Sequence, residues 1–415
     1  MNKILLVCYS FPPNPGVGGR RWAKFAKYLV KASHYVEVIN AKLSTDDTST
    51  WNKDAQLLHE SNNVHSLPTR YPEIIKKTPD TYFQKIQYRL SLEYLKIKVK
   101  GNMYDKSSLW HLNLVPFVVD KLNEGFDTII CTAAPFHYLS QISTLKKQFP
   151  NVNFIADFRD PWANNSISYG ITDLNQKRLQ DEERKEATVF ANFDYLVCVD
   201  TIHETYIRSL KINPDKIKII PNGFDPEDFS NTEAKRKQDN RINIVFTGSL
   251  YSKALSHLEA LYHVLLENEA LKQEFVFNFY GSIPKEAHYL FENNALQSTL
   301  TFHGKVPLKE VGEKIVSSDL AMLFLTDDLN YTKSTKFYEY IHLRKKIAVF
   351  SKYGEINQYV TNNRIGYSIE PHNIADSLNK IKEDFYKGDL NVPQGYSIEK
   401  YSIPTLLNDL TALLN

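Results

Sequence analysis

The chain is punctuated by short, near-continuous apolar runs, each followed by a loop and a segment of helical period, and this alternation constrains the fold more than anything else. Lys3 to Ser10 reads KILLVCYS, an apolar run without alternation, as a parallel strand covered on both faces requires. A Pro/Gly loop, FPPNPGVGG, opens a helix in which Trp22, Phe25, Ala26, Leu29 and Val30 form one apolar stripe. Tyr35 to Asn40 is the next strand. Strand, loop, helix and strand in this order make a unit of a doubly wound α/β sheet. The same reading predicts strands at Phe126 to Thr132, Val152 to Asp157, Tyr195 to Val199 and Ile217 to Ile220. Beyond a polar stretch it predicts more at Asn243 to Thr247, Phe275 to Tyr280, Leu300 to Gly304, Leu320 to Leu325 and Gly366 to Ile369.

At 415 residues the chain is long enough for two domains, each with its own core. Pro221-Asn222-Gly223 is a strong turn signal, and the charge-rich run Pro226 to Arg241 reads as a hinge. The expectation is a first Rossmann-like domain over 1–220, a linker over 221–241, a second over 242–397 and a last segment, 398–415, ending in a leucine-rich helix. A net charge of +2 excludes a protein that coats polyanions by bulk charge. Cys8, Cys131 and Cys198 lie in apolar runs without metal-ligand spacing, so they read as small buried hydrophobes of a reducing compartment. No run approaches the ~20 apolar residues of a membrane span. Pro12-Pro13 ends an N-terminal run too short for a signal sequence, so a cytoplasmic location is expected.

The richest chemistry lies in Thr332 to Phe350, TKSTKFYEYIHLRKKIAVF, which reads as a loop, a helix and a buried strand. Ser334 or Thr335 can cap the helix, whose free N–H groups and positive end, with Lys336 beside them, suit a diphosphate. Glu339 is one turn on, on the same face, placed to accept from ribose hydroxyls. The plain alternative is that Glu339 complements the helix dipole and Lys336 is solvated. Gly248-Ser249 followed by Lys253 after a strand can likewise cradle phosphate.

In the first loop Gly16, Gly18 and Gly19 let backbone approach a ligand, but Arg21 does not complete a dinucleotide fingerprint, and Asn40 and Ala41 stand where its ribose-binding acid would be. Arg20 and Arg21 crowd the positive end of a helix, a conflict that a bound anion would relieve; solvated arginines are the alternative. His137 follows a strand's carboxyl end, where open α/β sheets hold ligands, although a lone histidine is more often structural. The cluster DFRDPW, Asp157 to Trp162, is costly unless its charges pair or bind something. An Asp157 and Arg159 ion pair that fixes the loop is the plain reading.

These motifs, in this order, resemble the retaining family-4 glycosyltransferases of GT-B fold, over nearly the whole chain except about 43–113. The variant here is Ser/Thr-Lys-x-x-Glu-Tyr; the family's second glutamate, eight residues before Glu339, is replaced by Tyr331, with Asp327 and Asp328 upstream. The family's arginine at Ser249 is missing, and its lysine five residues later has Lys253 one place early. The resemblance implies two Rossmann-like domains facing across a cleft, with the tail helix returning to the first. It implies a donor site of Gly248, Ser249, Lys253, Gly281, Val306, Ser334, Thr335, Lys336 and Glu339, with His137 at the donor sugar. Gly16, Gly18, Gly19, Arg20, Arg159 and Asp160 fall on the acceptor side. The implied activity is hexosyl transfer from a nucleotide diphosphate sugar to a glycan or lipid-linked acceptor in polysaccharide or glycoconjugate synthesis, without a further cofactor or a metal. A nucleotide-sugar epimerase of the same fold and a non-catalytic homologue are the alternatives.

Residues 70–106 carry nine Lys/Arg against four Asp/Glu, interleaved with Tyr82, Phe83, Ile86, Tyr88, Leu90 and Tyr94. A helix with a solvated basic face and a peripheral seat on an anionic membrane both fit. Nucleic acid is disfavoured, because no RNA or DNA module motif accompanies the run.

Overall fold

A computed structural model describes residues 1–15, 17–43, 49–164, 170–200, 212–230, 232–234, 240–327 and 332–414. It divides into two compact units, Met1–Pro221 with Leu406–Asn415, and Asn222–Thr405. The first holds a parallel sheet of β1 (Lys3–Cys8), β2 (Tyr35–Lys42), β3 (Val64–Pro68), β4 (Thr128–Ala133), β5 (Asn153–Phe158), β6 (Tyr195–Cys198) and β7 (Ile217–Ile219). Their order is β3-β2-β1-β4-β5-β6-β7.

The second unit repeats the plan with β8 (Ile242–Ser249), β9 (Phe275–Ser282), β10 (Leu300–Gly304), β11 (Leu320–Phe324), β12 (Ile347–Phe350) and β13 (Gly366–Ile369), all parallel, in the order β10-β9-β8-β11-β12-β13. The central strands are buried along almost their whole length, which is why they read as continuous apolar runs. In each sheet the winding reverses once, between β1 and β4 and between β8 and β11. Doubly wound sheets bind ligands at such a reversal, beyond the strands' carboxyl ends.

Two expectations change. The stretch expected as a linker packs into the second unit in its described part: Phe224 is buried and stacks on His342 with ring centres 4.1 Å apart. A side chain at Gly312 would collide with Phe229 and Thr232. The tail also begins in the second unit, where Phe224 N–H donates to the Tyr401 carbonyl and Ile403 N–H to the Phe224 carbonyl. Only from Leu406 does the chain join the first unit, burying Leu406, Leu410 and Leu413 while Asn153 donates to the Leu413 carbonyl. The stretch 43–113 adds a strand, β3, that no reading covered, and the helix expected within 70–106 is present as Tyr82–Lys98, capped by Thr81 and Gln84. That helix sits on a small core of Tyr71, Leu95, Val99, Met103 and Leu109.

Candidate functional site

At the reversal in the first unit almost every charge is answered by another group. Arg21 does not wait for an anion: its guanidinium meets Asp157 at 3.1 Å and donates to the carbonyls of Ile220 and Pro221. Trp22 Nε1 donates to the same carboxylate at 2.7 Å. The expected Asp157 and Arg159 pair is thereby replaced, because Arg21, at the start of helix Arg20–Lys31, reaches the Asp157 carboxylate through two nitrogens. Arg159 instead donates to the carbonyls of Ala133, Ala134 and Gly18, tying the loops after β1 and β4 together. Neither opening arginine is solvated, since Arg20 is also buried, with its guanidinium 5.1 Å from the centre of the Trp51 ring. Gly19 must be glycine, because a Cβ there would stand 1.9 Å from the Ser10 carbonyl oxygen. Asp160 is half-buried, and Gly16 lies outside the described residues.

His137 begins the short helix His137–Ile142 and is buried. Asp105 Oδ2 accepts from the backbone N–H groups of Phe136, at 2.7 Å, and His137, satisfying the free donors of the first turn. The His137 ring pairs through Nε2 with Glu182 Oε1 at 2.7 Å. Glu182 also accepts from Lys185, from the Trp162 indole and from Asn102 N–H. Burial alone would raise the Glu182 carboxyl, but the charge and hydrogen bond of His137, with Lys185 and Trp162, bring it down to about 2. Sequence reasoning missed Asp105 and Glu182. Glu182 did carry a signal: with Glu186 it interrupts the stripe that continues through Val189 on helix Gln176–Asn192, and a carboxylate on a packed face needs a partner.

The reversal in the second unit is different. Gly248 ends β8 with φ +109, and a Cβ on it would stand 2.0 Å from Lys336 Cε, so the lysine stem lies directly over this glycine. Gly281, at the end of β9 with φ +135, has the Gly248 carbonyl where its Cβ would be, 1.9 Å away. Ser249 and Ser282 hydroxyls meet at 2.9 Å beside them. Gly248, Ser249, Gly281 and Lys336 are therefore gathered at one point. Lys336 is half-buried, and its Nζ lies 5.5 Å from the centre of the Phe246 ring. Among the described residues no carboxylate stands within salt-bridge range of it. Burial lowers its pKa, and the charge of Glu339 opposes that only in part.

Lys336 belongs to helix Thr335–His342, fixed by Phe337, Tyr338, Tyr340 and Ile341 in the core and by the Tyr340 hydroxyl, which bonds to Thr247. Glu339 is buried one turn along. Ser334 holds the cap position, yet its hydroxyl accepts no helix N–H: it is buried and without a partner among the described residues, as is that of Thr332. The cap bond expected of Ser334 is thus absent. Thr335 is the first helical residue. Lys253 is exposed on the turn Ser252–Ala254, and Val306 is half-buried in the loop after β10. Tyr331 and Asp328 lie outside the described residues.

No family model matches the chain. A curated relative, the GPI3 subunit of phosphatidylinositol N-acetylglucosaminyltransferase from Saccharomyces cerevisiae, is 29% identical over 137 residues, 31% of this chain and 30% of that protein. The chain thus matches under a third of that relative's length. The structure of Anabaena HepE in complex with UDP is similar over 100% of this chain and 99% of that one, with TM-score 0.66 and 14% identity. A putative UDP-N-acetylglucosamine 2-epimerase from Listeria monocytogenes matches with TM-score 0.55 and 9% identity, over 99% and 95% of the two chains. The fold is α/β with two Rossmann-like, doubly wound units, of GT-B type.

Proposed function

We propose that this protein is a glycosyltransferase that moves a hexosyl group from a nucleotide diphosphate sugar to a glycan or lipid-linked acceptor, with retention at the anomeric carbon. The observation that carries the reading is the second reversal: a partly desolvated ammonium over a glycine, at a helix start whose N-cap hydroxyl has no partner among the described residues. A diphosphate supplies the charge and the acceptors that this place lacks. As the bond between the anomeric carbon and the phosphate oxygen breaks, negative charge builds on the leaving diphosphate, and Lys336 with the helix amides stabilises it. The acceptor oxygen forms the new bond on the same face of the sugar and passes its proton to the departing diphosphate oxygen.

In this reading Glu339 accepts from the ribose, Ser334 and Thr335 from the amino end of the helix bind phosphate, and Gly248, Ser249 and Gly281 let backbone approach. Lys253 adds charge and Val306 borders the base. His137, its ring oriented by Glu182, is assigned to the sugar. Gly16, Gly18, Gly19, Arg20, Arg159 and Asp160 are assigned to the acceptor side, where Arg159 acts by holding loops in place. The UDP complex of HepE supports UDP-sugars as the first donors to try. The phosphatidylinositol in the name of the yeast relative supports a lipid-linked acceptor, and with it peripheral work at the cytoplasmic face of a membrane, in polysaccharide or glycoconjugate synthesis. No helix among the described residues is long and apolar enough to cross a membrane.

Incubation of the protein with nucleotide sugars, with and without acceptors, tests the reading. A transferase releases nucleoside diphosphate in step with acceptor glycosylation. Conversion of the donor sugar without any acceptor would make the protein an epimerase, the second reading that the Listeria likeness favours. Failure to bind any nucleotide sugar would make it a non-catalytic homologue.

A further inference from the structure

We propose that helix Tyr82–Lys98 of the first unit is the element that seats this protein on an anionic lipid surface, an inference that rests on the peripheral part of the reading above. The helix has two apolar faces. Tyr88, Leu92, Leu95 and Val99, at helical spacing, turn inward, with Leu92, Leu95 and Val99 packing on the small core around Tyr71 and Met103. Roughly opposite on the helical wheel, Phe83, Ile86, Leu90, Tyr94 and Ile97 fall within a sector of about 80°. All of them are exposed, Phe83 to 82%, Leu90 to 68% and Ile97 to 81%. Among the described residues six of the fifteen exposed large hydrophobics lie on this helix, so the stripe is a patch rather than ordinary scatter.

The charges beside it choose the partner. Lys76 and Lys96 are held by Glu73 and Glu93, each at 2.6 Å. Lys77, Lys85, Arg89, Lys98 and Lys100 have no carboxylate in salt-bridge range among the described residues. Phe83, Leu90 and Ile97 recur every seven residues, a spacing that would also suit a second copy of the helix. Two copies, however, would bring these surplus cations together, whereas an anionic headgroup layer complements them. On the same wheel Lys98 flanks one edge of the stripe and Arg89 the other, and exposed aromatic and aliphatic side chains with cations at their flanks are what a helix lying in the headgroup region needs. At 17 residues it covers about 25 Å of surface.

The full-length protein is sedimented with vesicles of phosphatidylcholine alone and of phosphatidylcholine with phosphatidylglycerol. Wild type should bind the second and not the first. Arg89→Gln with Lys98→Gln should weaken binding by a factor of about 25, roughly fivefold for each cation. Phe83→Ser, Leu90→Ser and Ile97→Ser together should abolish it, with melting temperature and turnover on a soluble acceptor unchanged because these side chains are exposed. If wild type and the serine variant bind alike, this helix is not the seat, although the peripheral reading stands. If wild type binds neither vesicle, both fall. Should the serine variant turn a dimer into a monomer, the stripe is a contact between copies and the proposal is overturned.

Discussion

The two reversal points of the molecule share a topology and differ in how their charges are answered. In the first unit Arg21 meets Asp157, Arg159 meets three carbonyls, and His137 meets Glu182, which is itself bonded to Lys185 and Trp162. In the second unit, among the described residues, Lys336 is partly desolvated without an ion pair and the hydroxyls of Thr332 and Ser334 are buried without partners. Internal pairing makes a rigid scaffold, because breaking a buried pair leaves an uncompensated charge. A cation and hydroxyls left without such partners are a cost to the free protein that a ligand can remove. The same fold can therefore serve as frame in one half and as binding site in the other.

The largest effect should come from Glu182→Ala, which strands His137, Lys185 and the Trp162 N–H. A loss on the order of 3 to 5 kcal/mol in stability is expected by chemical denaturation. A variant as stable as wild type would erase the contrast. Lys336→Ala should do the reverse: turnover falls by about 2 to 4 kcal/mol in transition-state stabilisation. Its melting temperature should hold or rise, since a desolvated charge is gone. Undiminished kcat/KM, or a melting temperature that falls steeply, would make Lys336 a structural residue.

Acid sharpens the comparison further. The Glu182 carboxyl is lower in the folded protein, about 2, than its ordinary 4.5. Its contribution is complete above about pH 4.5 and drains away as pH falls toward 2, amounting to about 3 kcal/mol at most. Acid titration of the circular dichroism signal should show this component in wild type and not in Glu182→Gln. The smallest effect belongs to Ser334→Ala. An ordinary cap is worth about 1 kcal/mol. This hydroxyl makes no cap bond, so the loss in stability should be only a few tenths, while donor affinity falls.

What was legible in the sequence followed from local physics. Central strands such as β1 and β5 show as apolar runs because both faces are covered. Strand β3, VHSLP, did not show, because it lies at a sheet edge and is only partly buried. Gly248 could be picked out from the Gly/Ser turn after an apolar strand and Gly281 from the resemblance, and both adopt positive φ. The pairings were hidden: Arg21 and Asp157 are 136 positions apart and His137 and Glu182 are 45 apart, and no spacing rule joins residues across a sheet. The membrane-facing reading of the stretch 70–106 was open to choice in the sequence. Only burial separates the face of helix Tyr82–Lys98 that packs from the face that does not.

The most direct test is calorimetric titration of UDP, GDP and ADP into wild type, Lys336→Ala, Glu339→Ala and the scaffold variant Arg159→Lys. The account predicts that one of these nucleotides binds wild type and Arg159→Lys comparably, and both substitutions in helix Thr335–His342 about tenfold or more weakly, which corresponds to about 1.4 kcal/mol. Equal affinity for wild type and both helix variants, or no affinity for any nucleotide diphosphate, would contradict it.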